Sequence, residues 1–200
     1  MTDIPPNDRY QRPFDLAVLI AAHILLLPIW VVLWTAVPLA IWLGDRGHVL
    51  YGQTRLGKDG RPFTMLKFRT MDVEAESGAG AVWASDEDER QTGVGRILRR
   101  YRIDEVPQVI NMLRGEMSLV GPRPERPELH AEFERSTPGF GRRLRVRPGL
   151  AGLAQVRGRY STPPRDKLRY DCLYIQKMGP LLDLKLLAAS VWVTIRGYPH

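Results

Sequence analysis

The chain has 200 residues, of which 44% are hydrophobic and 26% charged, so it is long enough for one ordinary domain and short for two. Its formal net charge of +7 predicts affinity for polyanions, which include nucleic acid, anionic lipid headgroups and phosphorylated substrates. Cys172 is the single cysteine, which excludes an internal disulfide and a multi-cysteine metal site and fits a reducing compartment.

The first predicted element is an apolar segment over residues 14–44, which separates an N-terminal flank, residues 1–13, from the polar remainder, residues 45–200. No Asp, Glu, Lys or Arg occurs from Leu16 to Leu43. A straight helix of that length would run about 42 Å, which exceeds a bilayer core of about 30 Å. The run is longer than the core of a signal peptide and shows no small-residue cleavage site, so we expect it to remain in the mature protein.

Pro28 lies near the middle of this segment, where it removes a backbone donor and predicts a kink or a break. Two arrangements follow from a break at this position. The two halves can enter and leave the membrane by the same face, with which the basic residues of both flanks, Arg12 and Arg46 among them, agree. Alternatively, one tilted helix spans the membrane with a modest kink. The physical argument leaves both arrangements open.

A β-hairpin is predicted next, because "HVLYGQTRLGKDGRPFTMLKFRTM" alternates apolar and polar residues around the glycine-containing turn "GKDG". Its second arm carries Lys67 and Arg69. The following segment, residues 72–92, is acidic and rich in small residues without sustained periodicity. We interpret that segment as a mobile loop.

A helix is then predicted that begins at Asp104 and Glu105 and ends at Gly115, with Pro107 tolerated in its first turn. Asp104 falls at or beside the N-cap, where the helix dipole stabilises a carboxylate and also attracts an incoming phosphate. A carboxylate can attack phosphorus when nearby cations neutralise the phosphate oxygens. Taken alone, however, an Asp-Glu pair at this place is explained more simply as a helix cap. The apolar residues at helical spacing are Val106, Val109, Ile110 and Leu113.

The rest of the chain predicts a short strand at "MSLV", a rigid turn at "GPRPE", and a helix over residues 126–137. A basic, glycine-rich segment follows, and then helices of which the last is strongly amphipathic. Its apolar face is expected to pack on the core or to lie in the membrane interface. The predicted fold class is therefore α/β with helices dominant.

The sequence "RIDEVPQVINMLRGEMSLVGPRPE" resembles the signature of the bacterial sugar transferases, the monotopic polyprenyl-phosphate phosphoglycosyl transferases. The segments "KFRTM", "RPGLAGLAQVRGR" and "YDCLYIQKMGPLLDLKL" extend the resemblance from about Arg12 to about Leu187. It implies a compact cytosolic catalytic domain over residues 45–200, at the cytoplasmic face of the bacterial inner membrane. It also implies a re-entrant membrane helix over residues 14–44, broken near Pro28, and interfacial amphipathic C-terminal helices.

The resemblance implies a two-step reaction in which Asp104 attacks the phosphate attached to the sugar of a UDP-sugar and releases UMP. Polyprenyl phosphate, in the form of undecaprenyl phosphate, then accepts the phosphosugar, which initiates glycoconjugate or exopolysaccharide assembly. Glu105 assists, and Mg²⁺ sits beside Asp104. The sequence does not identify the hexose.

The resemblance also implies which residues hold the substrate. Arg123 in "GPRPE" would hold phosphate, since a guanidinium between two prolines is a stiffly presented fork. Lys67 and Arg69 would lie near the nucleotide phosphates, and Gln155, Arg157 and Arg159 near the nucleotide. Two positions depart from the family pattern: Leu27 stands where some members have Ser, and Arg157 where a small or amide residue is common.

The implied partners are a UDP-sugar, polyprenyl phosphate and membrane lipids, while a homodimer is an open alternative. One rival interpretation is a glycosyl transferase that breaks the sugar-oxygen bond and releases UDP in place of UMP. A non-catalytic rival is a basic membrane-anchored adaptor for nucleic acid or another anionic polymer. Against nucleic acid, the basic residues are not interleaved with stacking aromatics, and no nucleic-acid module signature occurs.

Overall fold

The computed structural model describes residues 6–71, 90–158 and 162–196, so most of the loop predicted over residues 72–92 lies outside the described residues. The chain divides into two units. The first unit comprises Met1–Ala21, Gln53–Met65 and Gln108–His200, and the second unit comprises Ala22–Gly52 and Leu66–Pro107. Helices dominate and two small sheets accompany them, which confirms the helix-rich α/β prediction.

The apolar segment forms two helices, α1 (Gln11–Leu25) and α2 (Leu27–Asp45). The chain leaves helical geometry at Leu26. Pro28 lies in the first turn of α2, where backbone N–H groups have no partner within the helix, so the missing N–H of proline costs no helical hydrogen bond. The helix is thus interrupted next to the proline that predicted a break. The re-entrant course through a membrane stays a prediction.

Contacts across the interruption show that the chain bends there. The indole Nε1 of Trp30 donates to the carbonyl oxygen of Ala22 at 3.2 Å, and the rings of His23 and Trp30 stack with centroids 4.0 Å apart. In a straight helix, Ala22 and Trp30 would lie about 12 Å apart along the axis, farther than an indole and one hydrogen bond can span. Ala22, His23 and Trp30 therefore lie on the inside of a bend at Leu26.

Helix α2 is the one helix among the described residues that is long and apolar enough to cross a membrane. Its window Leu27–Gly44 has a mean hydropathy of 1.9, and only 6% of these residues are buried within the structure. Apolar side chains are exposed around the helix, including Val31, Leu39 and Leu43. An uncovered apolar surface of this kind is suited to an apolar surrounding, and the placement of α2 in a membrane stays a prediction.

The predicted hairpin is confirmed. Strands β1 (Leu50–Leu56) and β2 (Pro62–Phe68) pair with each other, and a 3₁₀ turn, Lys58–Gly60, connects them. Asp59 and Gly60 have positive φ values of 57° and 74°, which explains the glycine of "GKDG". The second strand ends at Phe68, directly after Lys67.

The second unit has an apolar core to which the hairpin, α2 and helix α3 (Gly93–Arg100) contribute. Thr92 caps α3 by accepting a hydrogen bond from the Gly95 N–H at 2.9 Å. The backbone at Gly95 approaches Thr70 so closely that a Cβ would lie 2.0 Å from its carbonyl oxygen. The core residues are Ile41, Phe68 and Leu98, with Trp34, Val37, Val49, Val94, Ile103 and Val106 packed against them.

The first unit contains a parallel strand pair, β3 (Ser118–Val120) and β4 (Gly149–Ala151), in which Ser118 faces Gly149 and Val120 faces Ala151. The strand predicted at "MSLV" is thus confirmed, whereas β4 was missed. The helix predicted over residues 126–137 is also present. The helices of this unit after α1 are α4 (Gln108–Arg114), α5 (Pro127–Ser136), α6 (Leu153–Arg157), α7 (Pro164–Lys177) and α8 (Pro180–Arg196), with a 3₁₀ helix at Phe140–Arg145.

Helix α8 differs from the strongly amphipathic helix that we predicted. Its buried side carries a carboxylate, Asp183, together with Leu186. Its other side exposes apolar residues, with Leu181 and Trp192 more than half exposed. Because polar and apolar residues do not separate into two faces, the prediction of a strongly amphipathic helix was wrong. The placement of this helix in the membrane interface stays a prediction.

Candidate active site

The acidic pair does not begin a long helix as predicted. Asp104 and Glu105 lie in a 3₁₀ helix, Ile103–Glu105, which starts after Arg102 in the left-handed region at a φ of 54°. Helix α4 begins only at Gln108. The physical reason is Pro107. It has no N–H to donate, so the backbone hydrogen bonds of the 3₁₀ helix do not continue without interruption into α4. The prediction that Asp104 sits at or beside the N-cap was therefore wrong.

Both carboxylates instead face one ammonium group in the second unit. Lys67 Nζ donates to Asp104 Oδ2 at 3.2 Å and to Glu105 Oε1 at 3.0 Å. Asp104 and Glu105 are only 5% and 7% exposed, so this is a buried charge cluster and not a pair on a solvated helix end. The helix-cap interpretation of Asp104 is consequently wrong, because its side chain accepts from Lys67.

The apolar core of the second unit fixes this cluster. Ile103 and Val106 flank the pair and both pack against the core, so the turn between them cannot rotate freely. Phe68 is 1% exposed in the same core and directly follows Lys67 on β2. Since successive strand residues point to opposite faces, burial of Phe68 directs Lys67 away from the core and toward the carboxylates.

Burial dominates the electrostatics of the site. It raises the pKa of Asp104 above its ordinary value, and the neighbouring charge of Glu105 raises it further. Lys67 and Arg99 act in the opposite direction and lower the pKa. An ionised Asp104 is therefore poorly solvated and depends on these cations, which is a suitable state for a carboxylate that attacks a phosphate.

The donor set is compatible with Mg²⁺. Within the described ranges, no group of three or more His, Cys, Asp and Glu side chains is close enough to hold a metal ion. Mg²⁺ does not need such a cage, because it usually binds through one or two carboxylates together with waters and substrate phosphates. Asp104 and Glu105 supply that number of carboxylates. The magnesium assignment at Asp104 stays a prediction.

The other predicted cation of the hairpin, Arg69, also lies in the second unit. It is 8% exposed, and its guanidinium packs so closely against Gly47 that a Cβ there would lie 2.0 Å from Nη1. Its backbone N–H donates to the Val49 carbonyl at 2.9 Å. The structure thus brings Lys67, Asp104 and Glu105 into contact and places Arg69 against Gly47. The substrate role of Arg69 stays a prediction.

Three predicted binding residues are described in the first unit. Arg123 lies in the turn between β3 and α5 and is partly exposed. Gln155 donates to the Leu150 carbonyl oxygen at 3.0 Å, whereas Arg157 is exposed at the C-terminal end of α6. Arg159 lies outside the described residues. The phosphate role of Arg123 and the nucleotide roles of Gln155, Arg157 and Arg159 stay predictions.

A buried ion cluster beside the Arg123 turn was not predicted. Arg143 pairs with Asp171 at 2.8 Å and approaches Glu125 at 3.5 Å, and all three are less than 10% exposed. The sequence around Asp171 contains a pattern that could have predicted this cluster. It shares a helix face with the buried Tyr174 and Ile175 at spacings of three and four, so a carboxylate there requires a buried partner.

Comparison with known proteins gives the same assignment as the sequence signature. Residues 7–197 match the family described as Bacterial sugar transferase. The chain is 37% identical over 182 residues to a UDP-N-acetylgalactosamine-undecaprenyl-phosphate N-acetylgalactosaminephosphotransferase of Aeromonas hydrophila, an alignment that covers 90% of this chain and 43% of that protein. It is 42% identical over 177 residues to a UDP-glucose:undecaprenyl-phosphate glucose-1-phosphate transferase of Caulobacter vibrioides, covering 86% and 66% of the two chains.

A third relative, the exopolysaccharide production protein ExoY of Sinorhizobium fredii, is 34% identical over 195 residues. That alignment covers 90% of this chain and 83% of the relative. The chain spans less than two thirds of the length of the Aeromonas and Caulobacter relatives. The family match nevertheless covers nearly the whole chain, with the Lys67–Asp104–Glu105 cluster inside it, and the chain belongs to the bacterial sugar transferase family.

Proposed function

We propose that this protein transfers a hexose 1-phosphate from a UDP-sugar to polyprenyl phosphate, with undecaprenyl phosphate as the acceptor, and releases UMP. The observation that carries the proposal is the buried Asp104 carboxylate held within 3.2 Å of Lys67, inside the segment that matches the family. The names of the Aeromonas and Caulobacter relatives describe this type of transfer, with N-acetylgalactosamine and with glucose.

In the first step, an Asp104 carboxylate oxygen attacks the phosphorus that carries the sugar. A bond forms between Asp104 and phosphorus, the bond from phosphorus to the bridging oxygen breaks, and UMP leaves with that electron pair. The product is an aspartyl phosphosugar. Lys67 and Arg99 oppose the repulsion between the carboxylate and the phosphate oxygens, which is the main obstacle to such an attack.

In the second step, a phosphate oxygen of polyprenyl phosphate attacks the same phosphorus and the Asp104 carboxylate leaves. The free enzyme is restored, and the lipid carries a diphosphate-linked sugar. Glu105, 3.0 Å from Lys67, is placed to accept a proton from an incoming monoanionic lipid phosphate. In this proposal Asp104 is the nucleophile, and Glu105, which shares the Lys67 ammonium with it, acts as the base.

Mg²⁺ is the proposed cofactor, held by Asp104 with Glu105 available as a second oxygen ligand. When bound, it would neutralise phosphate oxygens and help the nucleotide to leave. Lys67 already occupies the space between the two carboxylates at hydrogen-bonding distance, so the chain itself supplies part of this neutralisation.

The proposed location is the cytoplasmic face of the bacterial inner membrane, with α1 and α2 forming a re-entrant helix. The bend at Leu26 and the uncovered apolar surface of α2 support this placement. The lipid-linked product would begin glycoconjugate or exopolysaccharide assembly, the process named for the Sinorhizobium relative.

The test is Asp104→Asn, assayed in membranes with a panel of UDP-sugars and undecaprenyl phosphate. We expect UMP release and lipid product to fall at least about a thousandfold, because the amide is not a nucleophile. Asp166→Asn, an exposed aspartate of α7, is the matched control and keeps its activity. Substantial UMP release by Asp104→Asn would refute the nucleophile, and release of UDP by the wild type would establish a glycosyl transferase.

A further inference from the structure

The turn Gly121–Glu125 contains prolines at 122 and 124, which have no N–H, so its carbonyl oxygens carry much of its attachment to the first unit. The backbone provides three bonds. The Gly121 N–H donates to the Ala151 carbonyl at 2.8 Å, the Pro122 carbonyl accepts from the Gly149 N–H at 2.9 Å, and the Glu125 carbonyl accepts from the Leu56 N–H at 3.0 Å. Both ends of the turn are therefore held by neighbouring strands.

The two central carbonyls are held by arginine side chains. The Arg123 carbonyl accepts from Arg143 Nη2 at 2.9 Å, and the Pro124 carbonyl accepts from Arg55 Nη1 at 3.1 Å. Hydrogen bonds from charged donors are stronger than those between neutral groups. The backbone that carries the Arg123 side chain is thus fixed from two directions, by the 3₁₀ helix Phe140–Arg145 and by β1.

Arg143 is itself held rigidly. Its Nε and Nη2 each lie 2.8 Å from Asp171 Oδ2, and its guanidinium lies 4.7 Å from the centre of the Phe140 ring. Burial alone would raise the pKa of Glu125, but Arg143, Lys167 and Arg55 outweigh burial and lower it. Glu125 is therefore ionised and ties these cations to the end of the turn, where Lys167 approaches it at 3.4 Å.

We propose that Arg55 and Arg143 are positioning residues that set the direction from which Arg123 meets a substrate phosphate. A guanidinium recognises phosphate through a planar fork, so an error in backbone direction costs affinity even when the charge is retained. The inference rests on the proposed function and on the prediction, implied by the family resemblance, that Arg123 holds a phosphate of the UDP-sugar. A purely structural role for the same contacts would change stability without any dependence on Arg123.

Arg55→Met is the informative variant. Arg55 is partly exposed and belongs to β1, so its replacement removes the bond to Pro124, while Arg143 and Lys167 remain beside the buried Glu125. Arg61→Met is the matched control, because Arg61 is an exposed arginine of the same hairpin. We expect Arg55→Met to raise KM for the UDP-sugar about fivefold to tenfold, with kcat and Tm close to those of the control.

A double-mutant cycle tests whether Arg55 acts through Arg123. Arg123→Gln is expected to raise KM more than Arg55→Met does, and Arg55→Met is expected to add nothing further in the Arg123→Gln background. A full additional increase there would overturn the proposal. It would also be overturned if Arg55→Met matched Arg61→Met, or if Arg123→Gln left KM unchanged.

The same cycle is measured by titration with UDP, so that it does not depend on turnover. Coupling between Arg55 and Arg123 in UDP affinity, with no UMP from any UDP-sugar, would reject the proposed function and retain the inference. Normal UMP release without coupling would reject the inference alone. Arg143→Lys is a second test of the inference. Lysine keeps a cation beside Asp171 but lacks the planar guanidinium that also reaches the Arg123 carbonyl. Its effect on UDP affinity should likewise disappear in the Arg123→Gln background.

Discussion

Lys67 carries one positive charge that two buried carboxylates share, at 3.2 Å from Asp104 and 3.0 Å from Glu105. A buried carboxylate without a partner becomes neutral instead of remaining charged. Lys67 favours the ionised form of Asp104, because its charge opposes the rise in pKa that burial causes.

We predict that Lys67→Met moves the acidic limb of the kcat/KM profile to higher pH. The pKa of Asp104 is raised by burial and by Glu105, and Lys67 is the largest opposing cause, so its removal raises the pKa further. At a given pH, less Asp104 is then ionised. The measurement is the rate of UMP release across about pH 5–9, a range wide enough to show the acidic limb of the profile.

Lys58→Met serves as the control for Lys67→Met, because Lys58 lies in the turn of the same hairpin and pairs with Asp8. Its profile should coincide with that of the wild type. If Lys67→Met lowers the rate equally at every pH, Lys67 acts on bound phosphate and does not maintain the charge of Asp104.

The sequence was sufficient to select Lys67, Asp104 and Glu105 as candidates. Asp104 and Glu105 lie within the family signature, and Lys67 lies in "KFRTM", a segment that extends the resemblance. The sequence was not sufficient to place them. The pattern of apolar residues from Val106 onward was that of a helix, and the effect of Pro107 on the preceding turn depends on the left-handed backbone at Arg102. The cluster around Arg143 was not predicted, because its members lie far apart in the chain and meet only after folding.

The bend between α1 and α2 is a property of these elements and does not come from proline alone. Pro28 permits the interruption, but the contacts that close it are the His23–Trp30 stack and the Trp30 bond to Ala22. These contacts are present although Leu27 stands where some members of the family have Ser. An aromatic pair on the inside of the bend therefore stabilises it in this chain.

We predict that Trp30→Leu weakens the bend and increases the population in which the N-terminal flank faces the periplasm. The leucine can neither stack on His23 nor donate to Ala22. The measurement uses Asn7→Cys in a Cys172→Ser background, labelled from each side of the membrane. Labelling is expected from the cytoplasmic side in the parent and partly from both sides in Trp30→Leu.

Trp42→Leu is the matched control for this topology test, because Trp42 is a half-exposed indole of the same helix, far along the chain from the bend. It should keep the parent labelling pattern. Periplasmic labelling of the parent itself would show that the apolar segment spans the membrane and would reject the re-entrant placement.

Elements with a strong local signal were predicted correctly, namely the hairpin around "GKDG", the strand at "MSLV" and α5. Strand β4 was missed because it has only three residues and begins with glycine, which is rare in strands. Its pairing with β3 depends on close backbone approach: a Cβ on Gly149 would lie 1.9 Å from the Gly121 N atom. No local pattern reports such a tertiary requirement.

At the scale of the whole first unit, a buried polar network joins segments that are far apart in sequence. Tyr10 and Tyr174 donate to the two carboxylate oxygens of Asp183 at 2.7 and 3.0 Å. Asp15 of α1 accepts from the Ser118 hydroxyl and the Leu119 N–H, both at 3.1 Å. The N-terminal helix, β3 and the C-terminal helices are therefore held together by hydrogen bonds to carboxylates that are nearly or fully buried.

This network predicts a pH dependence of stability. Burial is the main cause that raises the pKa of Asp183 from 3.8 to about 6. Between these values, the folded protein retains a proton that the unfolded chain releases, so the folded state binds more protons and loses stability as pH rises. The expected loss through this group is at most about 3 kcal/mol between about pH 4 and pH 6.

Asp183→Asn isolates this contribution, because the amide keeps the shape of the side chain and does not titrate. The free energy of unfolding is measured in detergent from about pH 3 to about pH 7, roughly one unit beyond each limit of the window. The difference between wild type and variant should change across the window in favour of the variant as pH rises, whereas Asp166→Asn should show a constant difference. A pH-independent difference for Asp183→Asn would mean that Asp183 stays ionised in the folded protein, and the two tyrosine hydroxyls would then suffice to stabilise its charge.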